Sequence, residues 1–161
     1  MRAGRLLRAW GAEELQPAVG WKIWRVEHGA ERTRLRSVLY GDLWPARRPV
    51  EAACRRLLRS GHEAPGAGCE CGIHAGRELS AWEHYLSVGA ETRVFGRVLL
   101  WGATIEGSAG WRAARACAVE IFVPAAVAKA GEVAAGLAAY GVPVHVQEVE
   151  APTLEEVALW R

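Results

Sequence analysis

Val94-Phe-Gly-Arg-Val-Leu-Leu-Trp101 runs on through Ile105, turns at Glu106-Gly-Ser-Ala-Gly110 and returns as Trp111 to Val123. Two long arms rich in β-branched and aromatic residues, joined by a glycine-flanked turn, predict an antiparallel hairpin. Gly96 and Gly102 inside the first arm predict bends or bulges, as in a strongly curled sheet or a small barrel. Upstream, Trp21 to Val26 and Arg34 to Tyr40 read as two more strands, joined by the polar link His28 to Arg32. Gly41 to Pro45 and Pro49 break that pattern. Val50 to Leu58 is ambiguous, and Cys71 to Ala75 reads as a brief strand.

Two or three helices are expected around these strands. Leu79, Trp82, Tyr85 and Leu86 recur at three- and four-residue steps, which predicts a helix over Arg77 to Val88 with Gly89 as its stop. Pro124 opens an alanine-rich stretch to about Ala139, with Val127, Ala130, Ala134 and Leu137 along one face. Gly141 is placed to cap it, and Val142 to Val146 reads as a strand. Thr153 and Glu156 stand in capping-box register for a last short helix to Trp160. The fold class is therefore α+β: a curled antiparallel sheet or small open barrel, two or three flanking helices and a cysteine/histidine loop. Residues 1–20 read as a basic leader and 21–161 as a single domain.

A chain of 161 residues buries roughly 70% of its unfolded surface, so its core does not depend on a metal. With 20 basic and 18 acidic side chains the net charge is +2, too small to imply nucleic acid by bulk electrostatics. No run of 18 apolar residues is present, and the first ten residues lack the apolar segment of a secretory signal. Four cysteines are too few for a disulfide scaffold of this size, so the expectation is a cytoplasmic protein with reduced thiols and no membrane partner.

Three of those cysteines and two of the five histidines fall between Cys54 and His74. Cys54, His62, Cys69 and Cys71 supply the four soft ligands of a structural zinc site, with His74 as a reserve imidazole. Pro65 and the neighbouring glycines suit a backbone that wraps an ion. Two other readings use the same residues. Cys69 and Cys71 make a strained, easily reduced redox pair, or Cys54 is a small buried hydrophobe and the loop thiols are incidental.

The run His62-Glu-Ala-Pro-Gly-Ala-Gly-Cys-Glu-Cys-Gly-Ile-His-Ala75, with Val98-Leu-Leu-Trp-Gly102 and Gly110-Trp-Arg-Ala113, resembles a family of uncharacterised prokaryotic proteins. Its members carry a similar histidine–proline–cysteine loop, a Trp-Gly strand and a Gly-aromatic-Arg-Ala return strand. The resemblance spans about residues 20–125 and implies the layout of the fold, with no assigned activity. Where that family usually has tyrosine this chain has His74, which favours His62 as the fourth ligand.

No Ser-His-Asp pattern, His-Glu-x-x-His motif or phosphate-binding glycine loop is present. The leading expectation is a non-enzymatic binding or scaffolding domain with a zinc-held loop and an unidentified protein or nucleic-acid partner. Trp101 and Trp111, with Arg97 and Arg112, form its candidate binding surface. One alternative is a nucleic-acid module that stacks bases on those tryptophans beside those arginines. Another is a zinc-dependent hydrolase with Glu63 or Glu70 as base.

Overall fold

The computed structural model describes residues 17–29, 32–55, 61–80, 86 and 92–148. Its centre is the hairpin of β6 (Arg93–Glu106) and β7 (Gly110–Pro124). The register of this pair shifts between Arg97 and Val98 and again between Trp101 and Thr104, beside or across the two glycines of β6. β1 (Ala18–His28) pairs antiparallel with β6 along Ala18 to Arg25, and with β2 (Thr33–Ser37) along Trp24 to His28. Ala18 to Gly20, expected in the leader, are thus part of the sheet.

β7 uses both of its edges. One pairs with β6; along the other lie β5 (Ile73–Gly76), β4 (Val50–Glu51) and β8 (Val144–Gln147) in succession. β5 also touches β1 at Trp21 and Gly76, so β1, β6, β7 and β5 close a ring of four strands. That ring is the curled sheet expected from the glycine-bearing hairpin. β3 (Leu43–Trp44) extends the sheet beyond β2.

Two expectations need correction. The helix expected from Pro124 is α1 (Ala130–Leu137), followed by a 3-10 turn over Ala138–Tyr140. Pro124 stays in β7 opposite Gln147, and Ala125 N–H donates to the Gln147 carbonyl at 2.8 Å. Sheet hydrogen bonds therefore hold the residues that were to start the helix. Because α1 carries the chain back across the sheet, β8 runs parallel to β7, the one parallel pair among the described strands. Among the described elements there is one short helix, against the two or three expected. Of the helix expected over Arg77 to Val88, the described residues are 77–80, which are not α-helical, and Leu86, which is. The helix expected from Thr153 lies outside the described residues.

The main core joins the sheet to α1 and its 3-10 turn. Trp24, Leu35, Val98, Leu100, Ala116, Ile121 and Leu137 are fully buried there. Leu99, Trp101 and Cys117 alternate with them and pack on the opposite face of the hairpin. Burial on both faces explains the near-continuous apolar run of β6. Tyr140 ties α1 to the far edge of the sheet: its hydroxyl accepts from Leu35 N–H and donates to the Trp44 carbonyl, both at 2.7 Å. No helix among the described residues is long and apolar enough to cross a membrane.

Candidate metal centre

The loop between β4 and β5 is held at both ends by the same edge of β7. Val50 pairs with Ala116, and Ala52 N–H donates to the Ala114 carbonyl at 2.8 Å. Ile73 pairs with Ala113, three residues along from Ala116. Cys54 leaves the first anchor as Cys71 enters the second. Residues far apart in sequence are thereby brought to one place by strand pairing.

Within the loop, Cys69 N–H closes a turn onto the Gly66 carbonyl at 3.1 Å, and Gly66 N–H donates to Cys71 Sγ at 3.2 Å. His62 Nε2 stands 3.2 Å from Cys71 Sγ, and the sulfurs of Cys54 and Cys69 are 3.8 Å apart. Gly66 lies flat on the imidazole; a Cβ there would fall 2.6 Å from His62 Cδ2. Gly72 follows Cys71 with φ +119°, a conformation that side-chain-bearing residues rarely adopt. On the neighbouring strand Arg112 sits opposite His74, and its guanidinium donates to the carbonyls of Cys69 and Cys71, the latter at 3.0 Å.

The structure brings Cys54, His62, Cys69 and Cys71 together, with one ligand atom from each and all four within 4.8 Å of one another. Two thiolates on one tetrahedral ion, at bonds of about 2.3 Å, stand about 3.8 Å apart. The Cys54–Cys69 separation has that value. Three thiols and one imidazole in this arrangement can hold a metal ion. His74 lies apart: its Nε2–H donates to the Glu70 carbonyl at 2.8 Å, and burial holds its pKa below the ordinary range.

Local electrostatics divide the thiols. The N–H of Cys71, bonded to the Cys69 sulfur, brings the Cys69 pKa down to about 7. Burial pushes Cys71 up. Cys117, across the sheet, is pushed up to about 12 by burial in the second cluster. All four cysteines are thiols, without a disulfide. Cys69 and Cys71 are drawn into a set with Cys54 and His62.

The aromatic surface expected from the sequence is not assembled. Trp101 is 2% exposed and belongs to the second cluster, so it offers no ring face. Trp111 is half-buried, and the Arg77 guanidinium covers its ring at 4.5 Å. Arg97 is exposed but paired with Glu120 at 3.0 Å, and Arg112 is committed to the cysteine loop. Alternation along β6 and β7 failed to mark Trp101 as buried because both faces of the hairpin are covered.

Two residues that the sequence did not assign to the cysteine loop support it. Arg112 clamps the Cys-Glu-Cys segment, a role visible only once the β5–β7 register is known. Lys22 donates to the His74 carbonyl at 2.8 Å, at the back of the loop. A lysine between Trp21 and Ile23 in an apolar strand was the available signal. No family model matches the chain, and no curated protein or solved structure does either.

Proposed function

We propose that the chain is a non-enzymatic binding domain in which a structural zinc ion holds the loop between β4 and β5. The observation that carries this reading is the closed donor set: four soft ligands, all from protein, converge within 4.8 Å. Thiolate and imidazole donors select zinc over the hard cations magnesium and calcium. Four protein ligands complete a tetrahedron, whereas a hydrolytic zinc keeps one position for water. Glu63 and Glu70 are not members of the set. The burial of Trp101 and the engagement of Arg112 weigh against base stacking on the hairpin.

Elemental analysis of the purified, reduced protein tests the reading. About one zinc per chain is expected, in line with a single four-ligand site. Cys69→Ser should lose the metal and Cys117→Ser should keep it. Equal retention in both variants, or a metal-free wild type, would overturn the assignment.

A further inference from the structure

Beside the metal loop the main core opens to solvent. A cleft of about 370 Å³ lies between β1, the β2–β3 turn, β4 and the loop, with Cys54, Cys69 and Cys71 contributing to one wall. Its apolar lining comes from residues of the core cluster and its rim: Trp44, Val50, Ala52, Ile73 and Ala75. The two strands on this side of the sheet are short, two residues in β4 and four in β5. Leu39 and Tyr40, also lining it, are 65% and 56% exposed. Its volume is at the lower end of those that hold small organic molecules.

One charge stands out in that lining. The Lys22 ammonium has three donors. Among the described residues it makes one hydrogen bond, to the His74 carbonyl, and a contact 5.5 Å from the Trp44 ring. No carboxylate pairs with it there. Asp42, which also lines the cleft, is bound by Arg55, and Glu51 pairs with Arg115 at 3.2 Å. Burial lowers Lys22 to about 8, with Asp42 opposing that shift, so the ammonium is the major form at neutral pH. A half-buried cation with two unused donors, set among hydrocarbon and indole, is a receptor for an anion.

We propose that this cleft binds a small organic monocarboxylate, its carboxylate on Lys22 Nζ and its apolar body against Trp44, Val50 and Ile73. The body is apolar because those walls are. The charge is single because Asp42, Glu51 and Glu70 also line the cleft and repel a phosphate or a polyanion. The proposal names a ligand class for the binding domain and rests on that reading through the loop, which forms one wall.

The chain has two lysines, Lys22 and Lys129, so protein labelled with ¹³C at lysine Cε gives two resonances. The probes are 3-phenylpropanoate and hexanoate, each compared with its primary amide, on protein whose zinc content is measured in the same sample. Both carboxylates should shift the Lys22 signal and leave Lys129, which pairs with Glu132, in place. They should bind roughly tenfold or more tightly than the amides, the factor that 1.4 kcal/mol of charge pairing supplies. Lys22→Met should erase that preference, so that acid and amide bind the variant equally. Equal affinity of acid and amide, a stationary Lys22 signal, or a preference that survives Lys22→Met would overturn the proposal. The labelled wild type decides the matter even if the variant fails to fold. A Lys22 shift in protein that is purified without zinc, with no chelator applied, would sink the metal reading alone, and no shift in zinc-loaded protein would sink the ligand alone.

Discussion

Arg112 acts on the candidate metal centre without touching any of its four donor atoms. Its guanidinium holds the carbonyls of Cys69 and Cys71, which fixes the backbone that aims both sulfurs. Partners of this kind set ligand orientation, and their loss typically costs about 10–100-fold in metal affinity. Arg112→Ala is therefore expected to weaken zinc binding by about that factor in competition with a chromophoric chelator. One guanidinium nitrogen donates to both carbonyls, so Arg112→Lys, whose ammonium carries three donors, should restore more of the affinity than Arg112→Met. Cys117 illustrates the opposite case, a thiol whose surroundings deny it chemistry. Burial pushes it up to about 12 from 9.0. Between those values the unfolded chain releases the proton while the folded chain keeps it, so the folded state binds more protons and stability falls as pH rises. Urea unfolding at pH 8.5 and 10.5 should show a larger loss for wild type than for Cys117→Val. An equal loss in both would mean that Cys117 ionises freely in the folded protein.

Tyr140 does comparable work between elements, joining the 3-10 turn after α1 to β2 and β3 through one hydroxyl. Tyr140→Phe leaves the Leu35 N–H and the Trp44 carbonyl without that partner in a buried setting. Unsatisfied buried groups cost about 1–3 kcal/mol, and denaturant unfolding should show a loss in that range with the sheet otherwise intact. Why this link, unlike the hairpin, could not be foreseen is a matter of range. β6 and β7 announce themselves because a short glycine-flanked turn joins two long apolar arms, all within local sequence. Cys54, His62, Cys69 and Cys71 were legible as a set from composition and spacing, since few chemistries gather thiols and imidazoles so closely. What excluded His74 was its bond to the Glu70 carbonyl, a loop geometry that spacing does not carry. The parallel partnership of β7 and β8 and the late start of α1 likewise depend on Gln147 meeting Pro124 and Ala125. Trp101 misled for a related reason: a strand buried on both faces has no exposed alternation to read.

At the scale of the whole molecule, the core and the candidate metal centre are separate structures that share β7. Neither buried cluster contains a residue of the donor set, and both are built around the β6–β7 hairpin. The loop is anchored by two short pairings, of β4 and of β5, to the same edge of β7. Between those anchors its order comes from the Gly66 turn, the Arg112 clamp and the four donors. This differs from a zinc finger, where the domain is too small to fold without its ion. Chelation should therefore speed amide exchange at Cys54 and over 61–72, while the amides of the β6–β7 hairpin keep their protection, as local opening permits. Because Cys54, Cys69 and Cys71 contribute to a wall of the cleft, the same treatment should weaken binding of 3-phenylpropanoate without abolishing the Lys22 shift at high probe concentration. Loss of protection throughout the hairpin would show that the ion supports the global fold. Unchanged exchange in the loop, in protein shown to have lost its zinc, would show that strand anchors and Arg112 suffice to hold the donors in place.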